Sequence, residues 1–287
     1  MAIPEVRLYL NSLIGAQVGD GEVLWPIELF ERYLQGRTFD RALSIGCGSG
    51  ALERELVRRG MCRTVDAFDG SVVSLRQARI EADAMGFRSR IRYFAADFNR
   101  PAFPRSRYDI VLFHQSAHHV AKLEKLYLAI MKTLKTDGMV YMDEYIGPSR
   151  FEWAKRRKLL DPHRRIWEKL PHSLRAVDVL MPPVQPDDPS EAIRSSEIEP
   201  LLAVGFQILG HERYGGGILS VILPNLRLGN LDRETLLQLI EEDRNAPAFY
   251  TILAAKPKSG WPATVAKARY WFVPKAKRVL RILSRIQ

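Results

Sequence analysis

The segment from Arg41 to Arg59 constrains this chain most. A short apolar run, Arg41-Ala-Leu-Ser-Ile45, ends at Gly46-Cys-Gly48-Ser-Gly50, and a helical pattern over Ala51–Arg59 begins at once. Glycine accepts the positive φ of a tight turn and lets a ligand approach the backbone. The helix start beyond it offers free N–H groups and a partial positive charge. A strand that turns on glycines into a helix opens a crossover unit, and such a turn suits a phosphate or a carboxylate.

The rest of the chain repeats this alternation. Strands are expected at Thr64–Phe68, Ile91–Ala95, Tyr108–Phe113 and Gly138–Asp143, with helices at Ser71–Met85 and Val120–Leu134 between them. The stretch Leu134-Lys-Thr-Asp-Gly138 reads as the turn before the fifth strand. Strands alternating with helices of about 10–15 residues imply a parallel sheet. Strands as apolar as Ile110-Val-Leu-Phe113 suit a sheet covered on both faces. Residues 147–195, rich in Trp, Arg, Lys and Pro, break the pattern and read as an inserted lid. Alternation resumes with a helix near Ser196–Val204, a strand near Phe206–Glu212, a helix Asp232–Arg244 and a last strand Phe249–Ala255. The expected fold is α/β, a doubly wound, mostly parallel seven-stranded sheet. Residues 1–35, with a helix at Glu22–Leu34, cap it, and residues 36–256 form the main domain.

The net charge of +10 is unevenly placed: nine positive charges lie in residues 256–287, which hold no Asp or Glu. Charge is therefore a property of the tail. In residues 261–287, Ala276, Val279, Leu280, Leu283 and Ile286 recur at helical spacing, opposite Arg278, Arg281 and Arg285. A basic amphipathic helix with Trp261, Tyr270 and Trp271 nearby suits an anionic membrane surface. Packing on the protein itself or on a second copy is the competing reading. Nucleic acid is disfavoured, since the remainder of the chain is nearly neutral. No run of 18 apolar residues is present, and the first residues lack the pattern of an export signal. A cytoplasmic protein is expected, with peripheral contact at the inner membrane surface through 261–287. Two cysteines, Cys47 and Cys62, exclude a four-cysteine zinc site and argue against a disulfide framework.

The glycine turn alone is ambiguous. Gly46-Cys-Gly48-Ser-Gly50-Ala51 also satisfies the dinucleotide pattern, and an acid after the second strand serves either ligand through its ribose. Here that acid is Asp69, 23 residues after Gly46, with Asp66 as the alternative. The third strand runs into Phe94-Ala-Ala-Asp97-Phe98, where a carboxylate and a ring could meet an adenine. With these features in order, residues 36–256 resemble the class I S-adenosylmethionine-dependent methyltransferase family. The resemblance implies that Gly46, Gly48 and Gly50 hold the methionine end of S-adenosyl-L-methionine, Asp69 its ribose, and Asp97 with Phe98 its adenine. The family usually carries an acid two places before the first glycine, near the cofactor's amino group. This chain has Ser44, a hydroxyl without charge.

Methyl transfer from a sulfonium depends mainly on positioning, and a hydroxyl acceptor profits from a general base. Candidates must come from the carboxyl ends of the strands. His114, His118 and His119 follow strand four, and Asp143, Glu144 and Tyr145 follow strand five. His114, His118 and Glu144 are the expected catalytic groups. No metal site is expected, because no acidic or cysteine partner stands near the histidines in sequence. The segment Asp143–Trp153, with Asp188–Ser196 and Tyr214–Gly217, resembles a bacterial subgroup linked to glycans and secondary metabolites. It implies a small-molecule or sugar acceptor methylated on oxygen, with Tyr145, Arg150 and Arg194 at the lid edges binding it. The alternatives are an inactive binding subunit of the same fold and an RNA methyltransferase using the tail.

Overall fold

A computed structural model describes residues 3–14, 34, 36–185 and 187–259. The expected helix at Glu22–Leu34, apart from Leu34, and the basic segment 261–287 lie outside the described residues. The described strands form one sheet: β1 (Phe39–Ile45), β2 (Cys62–Asp69), β3 (Ile91–Ala95), β4 (Tyr108–His114), β5 (Leu134–Tyr145), β6 (Phe206–Tyr214) and β7 (Tyr250–Pro257). Their order is β3-β2-β1-β4-β5-β7-β6. β7 runs antiparallel between β5 and β6, and the pairs from β3 to β5 are parallel. The doubly wound, mostly parallel seven-stranded fold is as expected.

Alternation along β4 shows how two cores arise. Ile110 and Leu112 join one apolar cluster with Ala42, Leu56, Val65 and Leu75, while Val111 and Phe113 join the other with Leu43, Leu126 and Ile130. Successive side chains of a strand point to opposite faces, so an unbroken apolar run needs cover on both. The helices α1 (Pro4–Leu13), α2 (Ala51–Arg58), α3 (Val72–Ala84) and α4 (Leu123–Thr133) belong to the first half of the chain. The fifth strand departs from expectation. It takes in Leu134, and its pairing with β4 jumps from Tyr108↔Leu134 to Ile110↔Met139, so residues 135–138 are an irregularity within the strand rather than a turn before it.

Residues 147–195 build a third core. α5 (Arg150–Lys155) starts in a capping box, in which the Ser149 hydroxyl accepts from the Glu152 N–H and the Glu152 carboxylate accepts from the Ser149 N–H. Trp153, Trp167, Leu170, Leu174 and Leu180 then pack with Val6 and Tyr9 of α1, with Leu219 and Ile222, and with Leu236 and Ile240 of α9 (Arg233–Arg244). α6 (Asp161–Trp167) and α8 (Leu219–Ile222) lie within this layer, while Ile198, Leu201 and Leu202 of α7 (Ile198–Gly205) pack into the second core. No helix among the described residues is long and apolar enough to cross a membrane.

Candidate active site

β1 pairs with β2 on one side and β4 on the other, so chain direction around the sheet reverses there. Ligands of open α/β sheets lie in the crevice at that point, beyond the carboxyl ends of the strands. A cavity of about 640 Å³ occupies it. Gly46 leaves β1 with φ +75°, and a Cβ there would stand 2.2 Å from the Cβ of Ser116. Only glycine fits both the conformation and the space. Gly48, also at positive φ, has nothing within 4 Å of its would-be Cβ, which leaves room for a ligand beside it.

Asp69 closes the turn from β2. Its Oδ2 accepts from the Gly48 N–H at 2.7 Å and its Oδ1 from the Ser71 N–H at 2.7 Å. Asp66 is instead buried within β2, bonded to Arg92 and to the Tyr108 hydroxyl. Asp69 therefore stands at the cavity and Asp66 does not. Phe98 lines the cavity with Gly46, Gly48 and Asp69. Asp97 is exposed and accepts from the Asn99 N–H; Gly50 caps α2 against Tyr93; neither lines the cavity. Ser44 is buried under the turn, and its hydroxyl donates to Glu53 Oε1 at 2.5 Å. Glu53, in the first turn of α2, does line the cavity. Burial pushes its carboxyl above the ordinary carboxylate range. The one signal for it in the sequence is an acid on the helix stripe that also carries Leu56 and Val57.

The ends of β4 and β5 carry two carboxylate–histidine pairs. His114 Nδ1 lies 2.7 Å from Asp143 Oδ2, and His118 Nδ1 lies 2.9 Å from Glu144 Oε2. Both carboxylates are fully buried. Asp143 also accepts from the Tyr214 hydroxyl at 2.8 Å. Glu144 Oε1 accepts from the backbone N–H groups of Ser116 and Ala117, which shapes the loop carrying His118. Burial works against charge on His118, but Glu144 outweighs it and holds the imidazole pKa above its usual value. For His119, burial and the neighbouring His118 charge lower it. Between the pairs, Gln115 sits at φ +51°, rare for a residue with a side chain, with its N–H on the Asp143 carbonyl.

Gln115 borders the first cavity and a second one of about 500 Å³, lined by His118, Tyr145, Met181, Pro182, Glu191 and Tyr250 among others. His119 borders the first, together with Asp188 and Ser190 from the insertion. His119 Nδ1 lies 3.0 Å from Ser190 Oγ. The insertion thus supplies Glu191, the acidic partner that is distant in sequence. Ligand atoms of His118, His119 and Glu191 lie within 4.8 Å of one another, the one such grouping among the described residues. Three donors fall one short of the four in a closed structural metal site.

Tyr145 lines the second cavity, whereas Arg150 and Arg194 line neither. Arg150 donates to the Asp188 carbonyl. Arg194 forks onto Glu124 of α4 at 2.8 Å and onto Glu197, and donates to the Ala121 carbonyl. Arg194 holds the inserted segment to the domain, and Arg150 ties two parts of the insertion together.

A parallel sheet with a glycine turn after its first strand and an acid after its second, both at the switch point, defines an α/β domain for a nucleoside-bearing cofactor. Residues 43–142 match the family model described as a methyltransferase domain. Over those residues the chain carries a methyltransferase domain, and the sheet order and the glycine turn agree with the class I S-adenosylmethionine-dependent fold. The sterol 24-C-methyltransferase of Eremothecium gossypii is 26% identical over 140 residues, covering 47% of this chain and 36% of that protein. The ubiquinone biosynthesis O-methyltransferase of Bartonella bacilliformis is 31% identical over 102 residues, covering 36% of this chain and 40% of that protein. The match thus spans well under half the length of these curated relatives. The O-methyltransferase from the trans-AT PKS multienzyme of Brevibacillus brevis, in complex with S-adenosyl-L-homocysteine, shares the fold: TM-score 0.52 at 14% identity, over 92% of this chain and 80% of that one.

Proposed function

We propose that this protein transfers the methyl group of S-adenosylmethionine to an oxygen of a small molecule or sugar intermediate held in the second cavity. The observation that carries this reading is the wall of Gln115, His118 and His119 between two adjoining cavities, with each histidine held through Nδ1. The residues of the first cavity fit the cofactor: the space beside Gly48 is open, Phe98 offers a ring, and Glu53 keeps a buried oxygen unpartnered. When bound, S-adenosylmethionine supplies an electrophilic methyl on a sulfonium, already a good leaving group.

Such a donor leaves the protein two tasks, alignment and proton removal. Gln115 and Tyr145 align the acceptor. His118, oriented by Glu144, presents Nε2 to the acceptor side and takes the hydroxyl proton. His114 lies at the cofactor side. Neither carboxylate meets the acceptor; Glu144 fixes the tautomer of His118, and Asp143 stands beside His114 as a charge partner. The named relatives include a carbon and an oxygen methyltransferase, and the histidine wall favours oxygen, since an oxygen acceptor has a proton to lose. Arg150 and Arg194 act on the acceptor indirectly, by holding the insertion in place.

Incubation with methyl-labelled S-adenosylmethionine and fractionated extract of the source cell tests this. Label should appear in a small hydroxylated product and fall away in His118→Ala. Label on RNA, or none at all while S-adenosylhomocysteine binds, would overturn it. The charge pattern of 261–287 supports peripheral contact with an anionic membrane. Equal partition of the full chain and a 1–256 truncation to anionic liposomes would remove that idea.

A further inference from the structure

We propose that Glu53 supplies the negative charge for the cofactor's ammonium group, with Ser44 positioning its carboxylate. This rests on the S-adenosylmethionine reading of the first cavity. Glu53 is 1% exposed and lines that cavity beside Cys47 and Gly48. Its Oε1 is held by the Ser44 hydroxyl, while its Oε2 is shut off from solvent without a hydrogen-bond partner. A buried carboxylate oxygen left unpaired is costly and rare, and the usual explanation is a partner that arrives with a ligand.

Among the described residues, the neighbouring cations do not fill that place. The Arg54 guanidinium, next in sequence, donates to the Ser49 carbonyl and pairs with Glu81. His114 pairs with Asp143. Arg79 donates to the Tyr93 carbonyl. The partner that a carboxylate oxygen at this depth accepts from best is a charged N–H donor. S-adenosylmethionine brings an ammonium with three N–H donors on the end that the glycine turn holds. The geometry also accounts for Ser44. A serine at the end of β1 does not reach the cavity, but its hydroxyl holds the longer glutamate from α2, which does. The charge that this family usually places on the strand has moved to the helix.

Calorimetry with two ligands tests the assignment. S-adenosylhomocysteine carries the ammonium; 5′-methylthioadenosine keeps the adenosine and sulfur and lacks it. Glu53→Gln should weaken S-adenosylhomocysteine about 10- to 100-fold, the range of a charge-assisted bond, and change methylthioadenosine less than about threefold. Ser44→Asp in the Glu53→Gln background should recover part of the lost affinity. If Glu53→Gln binds S-adenosylhomocysteine as the parent does, the assignment fails and the cofactor reading stands. Equal weakening of both ligands would also overturn it, by making Glu53 a support of the turn alone. If the parent protein binds neither ligand, the cofactor reading falls and the assignment with it.

Discussion

The two cavities are built in opposite ways. The cofactor side is made chiefly at strand ends that follow one another in sequence: Gly46 and Gly48 after β1, Asp69 at the end of β2, Phe98 after β3. Its backbone amides are already tied to Asp69. The acceptor side is assembled from distant pieces. His118 after β4, Tyr145 of β5 and Tyr250 of β7 stand there with Met181, Pro182 and Glu191 of the insertion. Methyl donation is common to a whole family, so its cradle is carried in short segments. The proposed acceptor cavity takes part of its wall from an insertion that can change without disturbing the sheet.

Separate construction implies separable function, and the largest effect should show it. His118→Ala is expected to lower kcat by about 10²- to 10⁴-fold, the usual worth of a positioned base, with S-adenosylhomocysteine affinity unchanged. Asp69→Ala should do the reverse, weakening the cofactor first. If the two variants alter the same parameter, the division between the halves is wrong. The pH profile of His118 sharpens the point. Glu144 raises its pKa, so the neutral, proton-accepting form fills only above the ordinary histidine value. Turnover should therefore climb with pH along a limb centred above about 6.5, and that limb should vanish in His118→Gln.

Stability offers the next contrast. Trp153 is buried in the insertion's own core, with its ring against His163 and Phe249. Trp153→Ala should cost about 3–5 kcal/mol by chemical denaturation, and any partly unfolded state should keep cofactor affinity and lose acceptor binding. On the cofactor side, Gly46→Ala combines a left-handed backbone with a clash against Ser116. A loss of about 2–4 kcal/mol is expected. Gly86→Ala, at φ +72° with open space around it, should cost only about 1 kcal/mol.

Acid separates the halves least. Glu199 of α7 is nearly buried between His211 and Arg213 of β6. Burial alone would raise its pKa, but these two partners outweigh it and bring it to about 2. A depressed carboxyl stabilises the fold above its unfolded value near 4.5 and loses that contribution as pH falls toward 2. The anchor should then account for up to about 3 kcal/mol. Glu199→Gln should remove most of that acid dependence in equilibrium unfolding; an unchanged profile would mean that the β6 edge is held by packing alone.

The alternation of strands and helices, the seven strand positions and the glycine turn could all be read from the chain, since each is written in consecutive residues. Local periodicity also placed Asp69 and Phe98, because both follow strands whose ends are visible. Asp97 lies near the same strand end but is not among the cavity's lining residues, and its carboxylate accepts from the Asn99 N–H of the turn that follows. The sequence alone determined the cofactor class. Only the tertiary structure decided that Glu144 and Asp143 stand against histidines, that Arg150 and Arg194 tie the insertion, that Glu191 reaches His118 and His119, and that the Ser44 hydroxyl bonds Glu53. The physical reason is range: backbone conformation and burial period are local properties, whereas the pairing of buried polar groups is settled by which distant segments the fold brings within hydrogen-bond distance.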